Sequence, residues 1–353
     1  MLQLGLIQII TMFLFAPSTI KVAAFSRSRL GCHKLLLAAR HGLSRDFHSC
    51  AQYMSSGSEP SLFEKNVVSS SKSNTVKKIQ GLLTKRKKRV ESGQTIVEGP
   101  RMVLDLLDNP QTRSLVRQVL VSTEDFQKEE YSSRLANAPS ETHVQLATPE
   151  ILKVCSDTVT TQGIVAIVDI PSFDDSLMPS RFPLYLVLDG VSDPGNLGTL
   201  MRSSLAVGAA GVVLLPECCD VWNPKAVRSA MGASFQLPII EVDGWQEGLE
   251  MLKNVWKVES VYASTMMEQT GNSQFSRPHF EIDWLMHPTA LVIGSEGNGL
   301  NREIRHSLQD NDGSIKAVHV PMQAGIESLN AAVCGSVIMF EYLRQCQCHY
   351  KAE

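Results

Sequence analysis

From Leu184 onward, short apolar runs alternate with longer segments of helical spacing, and that alternation restricts the second half of this 353-residue chain to one architecture. The runs Leu184–Leu188, Val212–Leu215, Leu237–Ile240, Val261–Ser264, Ala290–Ile293 and Ala317–Val320 have the length and apolar content of strands. Between them, helices are predicted over Leu197–Val207, Lys225–Met231, Gln246–Val255, Asn301–Leu308 and Ser328–Leu343. Strand and helix in alternation, joined by short loops, imply a largely parallel sheet covered on both faces. Ligands of such sheets sit beyond the carboxyl ends of the strands. The loops after Leu188, Ile293 and Val320 are therefore the ones expected to carry chemistry.

The first half reads as a smaller α/β unit, residues 74–171. Val76–Arg89 has helical spacing, followed by a strand at Gln94–Glu98 and a helix at Arg101–Leu107. A strand at Leu115–Val121, a helix at Glu124–Leu135 and strands at His143–Ala147 and Ile164–Ile170 complete it. The proline-rich stretch 172–183 suits an interdomain linker, and the Ser-rich stretch 51–73 a disordered one. Lys77, Lys78, Lys85, Arg86, Lys87, Lys88 and Arg89 cluster in one helical segment. Such a cluster neutralises phosphates and makes binding salt-dependent; the plainer alternative is a solvated helix face.

Three loops stand out. In "DPGNLGTLMR" the stripe Leu197, Leu200, Met201, Ser204 and Leu205 is the buried face of a helix, Asn196 occupies the N-cap place, and Arg202 falls off the stripe. "IGSEGNGL" places Gly294, Gly297 and Gly299 around Glu296, so the backbone can turn sharply and approach a ligand. It lacks both the Gly-Lys-Ser/Thr of a P-loop and the G-x-G-x-x-G of a dinucleotide site. In "VPMQAGIESLNAAV" Pro321 ends a strand, and Ser328 and Asn330 open the last helix. Taken singly, each polar residue here reads equally well as a cap or a solvated side chain.

The three loops in this order, together with "NPKAVRSAMGASFQLPI" between the first two, resemble the SpoU (TrmH) family of RNA 2′-O-methyltransferases. The resemblance covers 184–346 strongly and implies a SPOUT-type, trefoil-knotted α/β methyltransferase domain, an exception to the rule against knotted chains. It implies S-adenosylmethionine as cofactor, bound mainly by backbone groups at Gly294, Val320 and Leu329. It places the catalytic set on Asn196, Arg202, Glu296, Ser328 and Asn330, with no member lost, and implies no metal. Arg202 is then the residue expected to hold a phosphate of the target nucleotide; the family's general-base role is chemically demanding for a guanidinium that stays protonated. Asn196 is expected to position Arg202 or the ribose, and Glu296 to brace the loops. "VEGPRMVLDLL" and "TQGIVAIVD" resemble the small RNA-binding domain that many members carry, itself similar to ribosomal proteins that grip kink-turn RNA. Relatives of this kind imply a homodimer, with Leu329, Ala332, Val333, Val337 and Phe340 as the matching helix face. An upstream domain favours rRNA, with ribosomal precursor RNA among the partners, over tRNA. An RNA-binding relative without activity is the other reading, against which the intact catalytic set speaks.

The remaining features bound the setting. Met1 to Arg45 holds six basic residues and no acidic one, with serines interspersed. That composition reads as an organelle transit peptide over residues 1–50, mitochondrial or, alternatively, chloroplast. The apolar run Leu4–Ala16 also fits a secretory signal or anchor. No later apolar segment is long enough to span a bilayer, so no membrane partner is expected. The eight cysteines lack the paired C-x-x-C spacing of a zinc site. Net charge is −3, and the basic excess lies in the leader, so any polyanion site must be a local patch.

Overall fold

A computed structural model of the chain describes residues 67–173, 182–265, 276–309, 315–323 and 328–352. The transit peptide expected at 1–50 and most of the linkers expected at 51–73 and 172–183 lie outside these residues. Where it is described, the first linker is already structured: Val68 pairs with Ala147, its N–H donating to the Leu146 carbonyl at 2.8 Å.

The smaller sheet is built from β1 (Gln94–Glu98), β2 (Val116–Ser122), β3 (His143–Ala147) and β4 (Ile164–Asp169), in the order β1-β4-β2-β3. It is mixed: β4 runs antiparallel to both β1 and β2, and β2 parallel to β3. Helix α1 (Asn74–Thr84) and helix α2 (Arg86–Ser92) replace the single expected helix. Lys85, extended at φ −126° and ψ 112°, breaks it. Helix α3 (Pro100–Asp108) buries Met102, Val103, Leu104, Leu106 and Leu107. The expected helix 124–135 is split into α4 (Thr123–Phe126) and α5 (Glu129–Ala136), and α6 (Pro149–Val154) was not anticipated.

The larger sheet is built from β5 (Leu184–Asp189), β6 (Gly211–Leu214), β7 (Ile239–Glu241), β8 (Ser260–Ser264), β9 (Ser276–Pro278), β10 (Thr289–Gly294) and β11 (Lys316–His319). Its order is β7-β6-β5-β10-β8-β11-β9, and every neighbouring pair is parallel. Residues of β5, β8 and β10 are buried on both faces, as the continuous apolar runs require. Helices α7 (Pro194–Val207), α8 (Pro224–Ala230), α9 (Trp245–Asn254), α10 (Arg302–Gln309) and α11 (Ala331–Ala352) cover it. Among the described helices, none is long and apolar enough to cross a membrane. The order places β5, β10, β8 and β11 side by side, so the loops leaving their carboxyl ends meet at one edge.

The two sheets share packing. Val227 of α8 and Phe235 lie in one buried cluster with Val97, Met102, Leu106 and Val168 of the smaller unit. Thr95 Oγ1 donates to the Trp222 carbonyl at 2.6 Å, and Asn109 Nδ2 to Gln236 Oε1 at 3.1 Å. Arg89, expected in the phosphate-binding cluster, is 4% exposed and belongs to this contact instead. Its Nε and Nη2 donate to Asp220 Oδ2 at 3.0 and 2.5 Å, and its Nη1 to the Leu82 carbonyl at 2.6 Å. The break at Lys85 starts a new helix, and Arg89 projects from it into the seam.

Candidate active site

The site is built where the loops after β5, β8, β10 and β11 converge. Helix α7 starts three residues earlier than its apolar stripe indicated. Asp193 is its N-cap, accepting from the Asn196 N–H at 2.8 Å, and Pro194 and Gly195 fill the first helical positions. This corrects the reading of Asn196 as the cap. With Asp193 in that role, the Asn196 side chain is free for other bonds. Its Nδ2 donates to Glu296 Oε1 at 2.7 Å, and its Oδ1 accepts from Asn330 Nδ2 at 3.0 Å. Asn330 Nδ2 also donates to Glu296 Oε1, closing a triangle of three side chains from three loops. Asn330 Oδ1 in turn accepts from the N–H groups of Ala332 and Val333 at 3.0 and 3.2 Å, so it caps α11. The last helix therefore begins at Ala331, three residues beyond the expected start at Ser328.

The loop carrying Glu296 is clamped from both ends. Ser295 and Gly299 exchange backbone hydrogen bonds of 3.0 Å. Asp189, at the end of β5, accepts from the Asn301 N–H at 2.6 Å and from its Nδ2 at 3.0 Å. Burial pushes the Asp189 carboxyl up from its ordinary range, and the Asn301 bonds act against that. Gly294 is required by crowding: a Cβ there would meet the carbonyl carbon of Gly299 at 2.5 Å and the Leu300 nitrogen at 2.8 Å, both backbone.

Two cavities meet at this loop. The first, of about 220 Å³, lies among the ends of β8, β10 and β11 and the start of α11. Gly294, Val320 and Leu329 all line it, as do Ser328 and Glu296. Ser264, Thr265, Arg305 and Cys334 line it too, and sequence reasoning assigned them no role. Burial pushes the Cys334 thiol up, and Ser264 Oγ sits 3.1 Å from its sulfur. The second cavity, of about 290 Å³, is lined by Asp193, Asn196, Glu217 and residues 295–298, which line the first as well. Glu296 is common to both. Arg202 lines neither: it is exposed on α7 and has no hydrogen-bond or ion-pair partner among the described residues. Six residues along the helix from Asn196, it stands about 9 Å further along the axis and about a third of a turn away. Of the two roles expected for Asn196, positioning Arg202 is not what the side chain does: it bonds Glu296 and Asn330 instead, and the ribose role stays open to it. Among the described residues no cluster of three or more His, Cys, Asp or Glu is arranged to hold a metal.

Residues 183–340 match the SpoU rRNA Methylase family and residues 73–166 the MRM3-like substrate binding domain. The mitochondrial rRNA methyltransferase 3A of Danio rerio is 30% identical over 77% of this chain and 68% of its own length. The chain belongs to the SpoU methylase family. Another family relative, the 23S rRNA (uridine(2479)-2′-O)-methyltransferase of Streptomyces viridochromogenes, is also 30% identical, over 75% of this chain and 88% of its own. Among solved structures, the SpoU methyltransferase AviRb of Streptomyces viridochromogenes in complex with the cofactor AdoMet aligns with a TM-score of 0.65 and 25% identity. That alignment covers 78% of this chain and 99% of AviRb. The SpoU match on 183–340 contains the side-chain triangle and both cavities, and the second match contains the whole of the smaller sheet up to Ala166.

Proposed function

We propose that this protein is an S-adenosylmethionine-dependent RNA 2′-O-methyltransferase acting on mitochondrial rRNA. The observation that carries the reading is the shared wall: two cavities meet at Glu296, and the Asn196–Glu296–Asn330 triangle stands on that wall. A transfer reaction needs a donor and an acceptor brought to one point, and much of the acceleration comes from that placement. The relatives named rRNA methyltransferases, one of them mitochondrial, support the substrate and the compartment.

The first cavity fits the cofactor by its own chemistry. Gly294, Val320 and Leu329 line it, and the Thr265 hydroxyl is buried there with no hydrogen-bond partner among the described residues. A buried unpaired hydroxyl is costly unless a ligand satisfies it. When bound, S-adenosylmethionine supplies an electrophilic methyl on sulfonium sulfur. The protein's part is to hold and orient. Glu296 Oε1 takes both amide donors, which leaves Oε2 to accept from a hydroxyl in the second cavity. Asn330 and Asn196 keep that carboxylate facing the junction. Ser328 lines the donor side and Arg202 receives a flanking phosphate. The loops so arranged are those read as the threaded part of the chain. Titration calorimetry checks this: the intact chain binds S-adenosylmethionine, and Gly294→Ala weakens binding at least about tenfold, the equivalent of about 1.4 kcal/mol. Unchanged affinity in that variant removes the loop from the cofactor site.

RNA is gripped by Lys77, Lys78, Lys85, Lys87 and Lys88, all exposed on α1, its C-cap and α2. Arg86 is exposed as well but faces Glu241 at 2.5 Å. Changing the five lysines to glutamine is expected to weaken RNA binding and to flatten its salt dependence by about 0.7–0.9 in log–log slope for each phosphate no longer neutralised. An unchanged slope in filter-binding measurements rules this face out. Val333, Val337 and Phe340 form an exposed apolar stripe on α11, which supports a homodimer. Ala332, by contrast, is buried within the chain's own core.

A further inference from the structure

Among the described residues, Arg305 is the only cation that lines either cavity. The way α10 is held explains why it lies there. Asn301 caps the helix, its Oδ1 accepting from the Ile304 N–H at 2.9 Å, and Asp189 fixes Asn301 in turn to the end of β5. Ile304 is fully buried and turns one side of α10 into the core. Arg305, Leu308 and Gln309 follow at i, i+3 and i+4, which places them on one side of the helix, and all three line the first cavity. One face of α10 is thus given to the cavity, with a guanidinium on it.

That guanidinium is uncommitted. Arg305 is exposed, and its side chain has no hydrogen-bond or ion-pair partner among the described residues. Glu296, the other charged group on the lining, is bonded to Asn196 and Asn330. The Asp189 carboxyl, pushed up by burial, is eased down by the Asn301 bonds and then by the charge of Arg305, with no ion pair between the two. An arginine left free at a ligand cavity suits an anion, since its donors form a fixed fork that matches a carboxylate. The cofactor assigned to this cavity carries one carboxylate, at the end of its methionine chain remote from the adenine. The lining divides in the same way. Ile293, Leu300, Val320 and Leu329 are apolar and suit the flat base. A zwitterionic end is better placed where water and a guanidinium both reach it.

We infer that Arg305 is a cofactor-binding residue, which holds S-adenosylmethionine by its α-carboxylate. This rests on the methyltransferase reading above. The contact is with an end of the donor that methyl transfer leaves unchanged. The demethylated product, S-adenosylhomocysteine, keeps that carboxylate and is held in the same way. Because Arg305 is exposed, solvent and salt screen the attraction, and its effect is moderate rather than large.

The test measures the affinity of the full chain for S-adenosylmethionine, S-adenosylhomocysteine and decarboxylated S-adenosylmethionine, which lacks only the carboxylate. Wild-type protein is expected to bind S-adenosylmethionine about five- to tenfold more tightly than its decarboxylated form. Arg305→Met is expected to weaken S-adenosylmethionine and S-adenosylhomocysteine by about that factor, and by more at low salt. It should bind the decarboxylated form as well as wild type or better, since that ligand carries two positive charges and no negative one. Arg305→Lys keeps the charge without the fork and restores part of the loss. The melting temperature of the unliganded protein stays at the wild-type value in both variants, because the side chain is exposed. An equal loss for all three ligands in Arg305→Met means that the arginine only shapes the cavity, and overturns the inference. Wild-type affinity for all three overturns it as well. Either result leaves the methyltransferase reading in place, whereas a wild-type chain that binds none of the three overturns both.

Discussion

Arg202→Ala is expected to lower methyl transfer by about 10²–10³-fold, the loss that follows removal of one positioned charge-stabilising group. The fold should be untouched, because Arg202 is exposed and bonded to no other described residue, and such surface changes stay within about 0.5 kcal/mol. Affinity for S-adenosylmethionine should also hold, since Arg202 lines neither cavity. The separation of these three readouts is what gives the variant its force. A residue that merely solvates α7 leaves all three unchanged; a structural one shifts the melting temperature. Only a residue that meets the RNA lowers transfer alone. In the proposed reading methyl transfer takes place beside Glu296, and Arg202, off the triangle on the exposed surface of α7, receives a phosphate that flanks the target nucleotide. Retained activity in Arg202→Ala would remove it from the catalytic set.

Arg89→Met is expected to be the most damaging single change to stability. It leaves Asp220, whose side chain is 10% exposed, without its cation in the seam between the two sheets. Breaking one partner of a buried pair costs about 3–5 kcal/mol because an uncompensated charge remains. For a folded unit of this size the melting temperature should fall by about 10 °C. Asp220 Oδ1 keeps its bond from the Trp222 N–H at 2.9 Å, so part of the loop's order survives. Adding Asp220→Asn to Arg89→Met removes the stranded charge and is expected to restore about half of the loss. A double variant no better than the single one means that the cost lies in lost packing of the arginine stem. RNA affinity separates Arg89 from its neighbours: replacing a buried seam residue leaves the salt slope of binding alone, unlike the lysine set.

Much of this arrangement is visible in the residues themselves. The parallel sheet follows from apolar runs that are continuous rather than alternating, as in Leu184–Leu188 and Ala290–Ile293. The functional edge follows from where those runs end. What eluded the sequence depends on contacts distant along the chain. Nothing near Arg89 announces that Asp220 lies opposite, so a basic run looked uniform when one member was buried. Asn196 and Asp193 are both good caps, and only the geometry of Pro194 at the first helical position gives the role to Asp193 and leaves Asn196 to Glu296. Asp189 carried a usable signal, an acid ending a wholly apolar strand, but its partner Asn301 is 112 residues away. Thr265 and Cys334 carried none: a hydroxyl and a thiol in apolar surroundings are ordinary until a cavity is seen beside them.

The most direct measurement is the chemical position of the transferred methyl. The intact chain is incubated with methyl-labelled S-adenosylmethionine and mitochondrial rRNA transcripts, and the RNA is then hydrolysed in alkali. A methyl on the 2′-oxygen blocks cleavage of the adjacent phosphodiester, so the account predicts that the label is recovered in an alkali-resistant dinucleotide and that Arg202→Ala forms that product about 10²–10³-fold more slowly. Label recovered on a base, or no transfer by a chain that binds both S-adenosylmethionine and the transcripts, would contradict it.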